Sequence, residues 1–173
     1  GFGAAVNAAL VASPDGDAYR QKIKELFNKV VIENHLKWPL WANPAQQPIA
    51  IQAVDWLNQA GLAVRGHCLV WPSWRWSNVP EAVRVKNDPP SLAKVIRDHV
   101  LDAAGKMSGR LVEWDVINEP YSNHDFMDIL GKQVMADWFR AAREADSKVV
   151  LFINDYDILS NSDTKHQDHY FET

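Results

Sequence analysis

The sequence of 173 residues contains a single cysteine, Cys68. One cysteine excludes a disulfide bond within the chain and a cysteine-rich metal site, so a buried structural thiol is the expected role of Cys68. An excess of positive charge is also lacking, because 18 Lys and Arg residues stand against 22 Asp and Glu residues, which gives a net charge of −4. The charge therefore gives no reason to expect nucleic acid or a membrane surface as a partner, and a neutral ligand fits it as well.

Long apolar runs, repeats and linker-like tracts are lacking as well. No run approaches the roughly 20 apolar residues of a membrane-spanning helix. Residues 1–10 lack the basic start and apolar stretch of a signal peptide, although a first residue of Gly1 is compatible with a leader that was removed. With 47% hydrophobic and 23% charged residues, the composition predicts one globular domain over residues 1–173.

Tryptophan, by contrast, is abundant: the chain carries 8 Trp, with 4 Tyr and 6 Phe. Flat aromatic rings can stack on the apolar faces of sugars, but each ring also buries a large area, so a core position is the alternative for any single tryptophan. Only tryptophans close to strand ends, such as Trp38 and Trp71, are candidates for the walls of a ligand cleft.

Five apolar runs alternate with amphipathic stretches, which is the pattern of β-α units on a parallel sheet. The predicted strands are 3–9, 29–38, 63–71, 111–119 and 148–156, and the predicted helices are 18–27, 48–59, 91–107 and 131–145, with a further helix-like stretch at 162–173. A proline-rich loop at 74–90 lengthens the third β-α connection. A closed barrel needs eight strands and about 250 residues, so we expect an α/β fold of the parallel TIM-barrel type that stops after about five β-α units.

Polar or aromatic side chains lie in the last part of three of these strands: Glu33, Asn34 and Lys37 on the second, His67 and Trp71 on the third, and Asn118 and Glu119 on the fourth. The carboxyl ends of parallel strands meet at one edge of the sheet, where barrel enzymes carry their active sites. We therefore expect these side chains to converge on one cleft. Amide, ammonium and imidazole groups that bind hydroxyls, with aromatic walls, are the composition of a sugar site.

Four motifs in this order resemble glycoside hydrolase family 10, whose members are mostly endo-β-1,4-xylanases with a TIM-barrel fold. They are Glu33-Asn34-x-x-Lys37-Trp38, Arg65-Gly66-His67, Trp114-Asp115-Val116-x-Asn118-Glu119 and Asn154-Asp155-Tyr156, with Ala5-Val6-Asn7 before them. The resemblance runs through nearly all of the chain. It implies β-1,4-linked xylan or xylooligosaccharides as substrate, no cofactor, no metal, and a secreted or periplasmic parent protein.

The resemblance also assigns roles to single residues. Glu119 looks like the general acid/base, and Asn118 like the residue that binds the sugar 2-hydroxyl near the scissile bond. The remaining matches are with sugar-binding residues: Glu33, Asn34 and Lys37 on the non-reducing side, His67 and Trp71 around the cleaved sugar, and Tyr156 on the leaving-group side. The alternatives are a solvated carboxylate for Glu119, a structural histidine for His67, a packing role for Tyr156 and, for Glu33, a role in orienting its neighbours. Asp115 and Asp155 are expected to support the residues beside them.

Two departures from the family pattern affect the expected function. A retaining glycosidase uses two carboxyl groups about 5–5.5 Å apart, and the Thr-Glu-Leu-Asp-like motif that carries the family nucleophile does not occur in the 173 residues. Trp71-Pro72-Ser73-Trp74 also stands where many relatives have Trp-His-x-Gln. We therefore expect the intact parent to hydrolyse xylan with retention and this polypeptide alone to be inactive.

A second hypothesis from a different class is a non-catalytic carbohydrate-binding or scaffold half-barrel, which the missing nucleophile favours for the chain as given. A half-barrel leaves two strand edges unpaired, and unpaired edges invite pairing with another chain. The sequence therefore also predicts a homo-oligomer that associates through these edges.

Overall fold

A computed structural model describes residues 1–158 and 164–172 of the chain. Five strands form one sheet in the order of the sequence: β1 (Gly3–Val6), β2 (Lys29–Ile32), β3 (Ala63–Val70), β4 (Glu113–Asn118) and β5 (Val150–Asn154). Every neighbouring pair of strands is parallel. The predicted α/β fold with consecutive parallel strands is therefore confirmed.

Helices connect the strands, and four long ones correspond to the four predicted helices: α2 (Asp17–Leu26), α4 (Gln47–Gln59), α6 (Pro89–Lys106) and α8 (Val134–Ala145). Helix α6 shows why the sequence begins a helix there. Asp88 accepts a hydrogen bond from the backbone N–H of Ser91 at 3.4 Å, which caps the first turn, and prolines occupy first-turn positions where their missing N–H costs nothing. Gly61, with φ +78°, provides the left-handed residue after α4.

Shorter helices add detail that the periodic pattern did not predict. They are α1 (Ala8–Ala12), α3 (Trp38–Trp41), α5 (Pro80–Arg84), α7 (Asp125–Leu130) and α9 (Thr164–Glu172). The predicted strand 29–38 ends at Ile32, and the chain turns into α3 because Pro39 suits a first helical turn. Helix α5 interrupts the predicted loop 74–90. Of the predicted stretch 162–173, residues 162, 163 and 173 lie outside the described part.

The core lies between the sheet and the helices that cover its outer face. Trp114 of β4 is fully buried, and Ile96 and Val100 of α6 are buried with it in one apolar cluster. Burial of a large apolar side chain contributes roughly 1.5–3 kcal/mol. Trp38, Trp41, Trp114 and Trp138 are all at most 2% exposed, so half of the eight tryptophans are core residues, as the alternative interpretation predicted.

The inner face of the sheet carries a network of charged side chains. Lys29 of β2 and Arg65 of β3 both form ion pairs with Glu113 of β4, and Arg65 also pairs with the buried Asp115. Burial alone would lower the pKa of the Arg65 guanidinium, but the hydrogen bond and charge of Asp115, followed by Glu113, outweigh it and raise that pKa. The network joins three strands in their first halves, since Lys29 and Glu113 are the first residues of β2 and β4, and it lies below the polar strand ends.

No helix of the described residues is both long and apolar enough to cross a membrane.

Candidate active site

Asn118 lies at the end of β4 and is completely buried. It stands opposite Asn154 of β5 in the sheet, and the amide nitrogen Nδ2 of Asn154 donates a hydrogen bond of 2.7 Å to Oδ1 of Asn118. This bond fixes the orientation of the Asn118 amide. Its own Nδ2 is buried and has no acceptor among the described residues, so one polar donor is left without a partner at this strand end.

Glu119 follows directly, and the turn holds it in an uncommon conformation. Its φ of +54° lies in the left-handed region, which non-glycine residues rarely adopt and which concentrates at functional sites. Its backbone N–H donates to the carbonyl oxygen of Asn154 at 2.7 Å, and its own carbonyl oxygen accepts from the backbone N–H of Asn123 at 3.0 Å. Nδ2 of Asn123 also donates to Oε2 of Glu119 at 3.3 Å. The half-buried carboxyl group is thus held at the sheet edge.

His67 lies on the neighbouring strand β3 and is oriented by a carboxylate. Nδ1 of His67 donates to Oδ2 of Asp115 at 2.9 Å, and the side chains of His67 and Asp115 are 19% and 3% exposed. This bond places the proton of the neutral ring on Nδ1. The pairing of β3 with β4 shifts between His67 and Val70, and such irregularities redirect side chains near active sites. Asp115 therefore positions His67, in agreement with its predicted supporting role.

Asn34, Lys37 and Trp71 form a second group beside the first. Nζ of Lys37 donates to Oδ1 of Asn34 at 2.9 Å and lies 5.0 Å from the centre of the Trp71 ring, a distance at which a cation and an aromatic ring attract each other. Trp71 stacks in turn on Trp76, with ring centres 4.5 Å apart and planes 12° apart. Three of the predicted site residues are therefore in contact, and Glu33 lies exposed at the start of the same turn.

Tyr156 lies just beyond β5 and is 45% exposed. Its hydroxyl shares a hydrogen bond of 2.7 Å with the hydroxyl of Ser122, which belongs to the loop that follows Glu119. The side chain of the neighbouring Asp155 is buried, and its Oδ1 accepts from the Tyr156 backbone N–H at 2.9 Å. Nε2 of His166 lies 3.3 Å from the same oxygen, although it makes no hydrogen bond of good geometry. Asp155 thus supports Tyr156.

The buried Cys68 lies among the charged groups of these strand ends. Burial is the main cause that raises the pKa of its thiol, the charges of Asp115 and Glu119 raise it further, and the charge of Lys37 lowers it. Cys68 is a free and buried thiol, as predicted, and its structural role stays a prediction.

The prediction that Trp38 forms a wall of the cleft is wrong, because Trp38 is buried against His99, a residue that the sequence did not single out. Trp38 is 2% exposed and stacks on His99 of α6, with ring centres 4.4 Å apart and planes 8° apart. Nε2 of His99 contacts the carbonyl oxygen of Leu69 at 2.9 Å, and burial lowers the pKa of this imidazole to about 4. The neutral His99 on α6 thus contacts both Leu69, near the end of β3, and Trp38, which follows Lys37 in the sequence.

The sequence also did not predict that Asn154 and Asn123 contact Asn118 and Glu119. Asn154 lies in the motif from which only Tyr156 was chosen as a site residue, and Asn123 lies in a loop outside the motifs. No group of three or more His, Cys, Asp or Glu side chains that could hold a metal ion occurs within the two described ranges.

Comparisons with known proteins place the whole chain in one family. The model of glycosyl hydrolase family 10 matches residues 1–172. Endo-1,4-beta-xylanase 3 of Hypocrea jecorina is 32% identical over 166 residues, which cover 91% of this chain and 46% of that enzyme. An anti-sigma-I factor of Acetivibrio thermocellus is also 32% identical, over 89% of this chain and 20% of its own length.

A solved structure described as a GH10 endoxylanase from a sugarcane soil metagenome superposes with a TM-score of 0.82 at 26% identity. The match covers 98% of this chain and 52% of that structure. The chain therefore spans about half the length of the xylanases to which it is similar.

Proposed function

The chain belongs to glycosyl hydrolase family 10, and on that premise we propose that residues 1–173 are part of a retaining endo-β-1,4-xylanase domain and carry its acid/base. The observation that carries the proposal is the Asn118-Glu119 pair, which closes β4 and is held by Asn154 through both a side-chain bond and a backbone bond. Carboxyl groups at the carboxyl ends of barrel strands are where catalytic residues stand.

In the proposed reaction Glu119 protonates the glycosidic oxygen as the bond to the leaving group breaks, and then accepts a proton from the water that hydrolyses the intermediate. Asn118, whose Nδ2 is an unpaired donor among the described residues, binds the sugar 2-hydroxyl. A hydrogen bond there strengthens in the transition state. The nucleophile, about 5–5.5 Å from the acid/base carboxyl in retaining enzymes, is supplied by residues outside these 173.

The remaining predicted site residues arrange the substrate. Glu33, Asn34 and Lys37 bind sugars on the non-reducing side, His67 and Trp71 contact the cleaved sugar, and Tyr156 flanks the leaving group. Lys37 contacts both Asn34 and Trp71, so these residues lie together on the β2 and β3 side of Glu119. Tyr156 follows β5, on the other side of β4, and contacts the loop after Glu119. This separation supports the assignment of the two groups to opposite sides of the cleaved bond. The ligand is thus xylan or a xylooligosaccharide, and the whole protein acts in a secreted or periplasmic setting.

The 173-residue polypeptide alone is expected to hydrolyse xylan hardly at all, because the double displacement has no covalent step without a nucleophile. Within the described residues, β1 and β5 each pair with one neighbour. Their free edges are the surfaces through which two copies associate in the proposed homo-oligomer.

A second candidate, a carbohydrate-binding or scaffold module without catalysis, is favoured by one comparison. An anti-sigma-I factor shares 32% identity with this chain, so a family 10 sequence also occurs in a protein that is not named a hydrolase. The two candidates share the cleft and differ in whether the whole protein cleaves xylan, while both predict binding without cleavage for the 173 residues alone.

Calorimetry with xylotetraose and a reducing-sugar assay on xylan test both candidates on the same preparation. Asn118→Ala should weaken binding about tenfold, because one buried hydrogen bond is lost. Such a result would support the proposal that the sugar binds in the cleft. The matched control is Glu144→Gln, which changes an exposed residue on α8. If the chain cleaves xylan, and if Glu119→Gln abolishes this cleavage while Glu144→Gln does not, catalysis belongs to the 173 residues themselves. Binding without cleavage favours a site completed elsewhere or the scaffold, and no binding refutes the cleft.

A further inference from the structure

Arg65 connects the charged network on the inner face of the sheet to the cleft, and the proposed reaction gives it no role. Arg65 and His67 are two residues apart on β3, so their side chains project from the same face of the strand. They stand opposite Glu113 and Asp115 of β4 in the sheet. Two basic residues of one strand thus face two carboxylates of the next, and the guanidinium of Arg65 bonds to both carboxylates.

The carboxylate of Asp115 is shared between Arg65 and His67. Nε of Arg65 lies 3.2 Å from Oδ1 and 3.3 Å from Oδ2, and Nη2 also donates to Oδ1. Nδ1 of His67 donates to Oδ2 at 2.9 Å. On the far side, the Phe152 ring of β5 packs against the arginine, with the ring centre 4.5 Å from the guanidinium carbon. The planar guanidinium thereby fixes the rotation of the carboxylate and directs Oδ2 towards the imidazole.

The charges of this network balance without a charge on His67. Lys29 and Arg65 are positive, and their partners Glu113 and Asp115 are negative. Lys29 compensates Glu113, so Arg65 remains available for Asp115, whose side chain is only 3% exposed. An imidazolium at His67 would add a positive charge that this network does not offset.

The second ring nitrogen of His67, Nε2, is the one that remains for a ligand. It makes no hydrogen bond within the described part of the chain, and the side chain is 19% exposed. Further charged groups of these strand ends are Lys37 and Glu119, which have opposite charges and act in opposite directions on the pKa of the thiol of Cys68, the residue after His67. A neutral ring with its proton on Nδ1 presents Nε2 as an acceptor.

We propose that Arg65 is a positioning residue for His67: it holds Asp115 in place and offsets its charge, so that His67 stays neutral and offers Nε2 to the cleft as a hydrogen-bond acceptor. The carboxylate alone would favour a second proton on the ring, because a nearby opposite charge stabilises the charged form. The arginine thus determines that His67 accepts a hydrogen bond from a sugar hydroxyl. Only this last step rests on the proposed function, because the protonation of His67 is measured without a ligand.

Nitrogen-15 NMR of the histidine rings at pH 7 tests the proposal, with the His67 signals assigned by their loss in His67→Gln. Wild type should show a neutral His67 ring that is protonated at Nδ1 and not at Nε2. In Arg65→Gln most molecules should carry a second proton on this ring, whereas Arg65→Lys, which keeps the charge beside Asp115, should retain the neutral form. The matched control, Arg97→Gln, removes the same charge from an exposed pair with Glu144 between α6 and α8 and should leave the His67 signals unchanged.

Calorimetry with xylotetraose separates this role from a merely structural one. At pH 7 Arg65→Gln should bind about fivefold more weakly than wild type, because a charged His67 ring has no acceptor at Nε2. At about pH 9, well above the ordinary histidine pKa of about 6.5, the ring is neutral again and most of the affinity should return. A loss that came from damage to the fold would persist at the higher pH.

A neutral His67 ring in Arg65→Gln, or a wild-type ring protonated at Nε2, would overturn the inference and leave the proposed function standing. If Arg65→Gln does not fold, Lys29→Gln removes one positive charge from the more exposed end of the network, and an unchanged His67 ring in that variant is the refuting result. If the NMR results are as expected but the wild-type chain binds no xylotetraose, the proposed function fails, while the control of His67 protonation by Arg65 stands.

Discussion

Acid should destabilise this fold through one buried histidine, His99. Its side chain is 7% exposed, its Nε2 contacts the carbonyl oxygen of Leu69, and its ring covers Trp38. Burial is the main cause that lowers its pKa to about 4, against an ordinary value of 6.5, while the Leu69 carbonyl and the charge of Asp102 offset part of that effect. The folded chain therefore holds this imidazole neutral at pH values where an exposed histidine is charged.

The direction of the effect follows from comparing the two states. Above pH 6.5 His99 is neutral in both the folded and the unfolded chain, so its full contribution to stability is present. Between pH 6.5 and about 4 the unfolded chain binds a proton that the folded chain does not, so the free energy of unfolding falls by up to about 1.4 kcal/mol per pH unit. Over this interval the loss is about 3 kcal/mol, a large share of the roughly 5–15 kcal/mol that stabilise a typical domain.

Urea unfolding of the wild-type chain and of His99→Gln at pH 7 and pH 4 measures this loss. Glutamine keeps an amide donor for Leu69 but cannot titrate, so the variant should be less stable at pH 7 and lose about 3 kcal/mol less than wild type on acidification. His124→Gln, which changes an exposed histidine on the surface, should keep the wild-type slope. Equal losses in wild type and His99→Gln would refute the argument that burial holds His99 neutral.

The five strands could be predicted from sequence because each is an apolar run that ends in polar residues. Strand β4 illustrates this, since it is buried from Trp114 to Asn118. Its carboxyl end could be placed to within one residue because Asn118 and Glu119 interrupt the apolar pattern where the sheet stops. The long helices α4 and α6 were equally accessible, since their buried residues recur at helical spacing.

The end of β2 could not be predicted in the same way. Leu36 and Trp38 are as apolar as the strand before them and are just as buried, so the pattern continues although the strand does not. The observed strand has only four residues, which pair with Gly3 to Val6 of β1, and the chain then turns towards α3. Helices α3, α5 and α7 have at most six residues, which is too short for a helical period to emerge.

The motifs named the candidate site residues but not their contacts. The bond between Asn118 and Asn154 joins residues 36 apart, and the bond between His67 and Asp115 joins residues 48 apart. Both depend on the register of neighbouring strands, which single motifs do not encode. The loop after Trp71 shows the same limit, since either of its two tryptophans could have faced the cleft.

Two further substitutions test how tightly β3 and β4 fit together, and urea unfolding measures both. A Cβ atom on Gly66 would clash with Cε3 of the buried Trp114 ring, so Gly66→Ala should lower the free energy of unfolding by about 1–3 kcal/mol. The control is Gly105→Ala in α6, where a Cβ atom would have no neighbour within 4 Å. This substitution should instead raise the free energy of unfolding by up to about 1 kcal/mol. Asp115→Asn keeps the shape of a side chain that is 3% exposed but removes the partner of Arg65, which is 26% exposed. Because that guanidinium keeps some access to water, the loss should fall below the about 3–5 kcal/mol of a fully buried broken pair, at about 2 kcal/mol. If Asp115→Asn leaves the unfolding midpoint unchanged, Glu113 alone is a sufficient partner for Arg65.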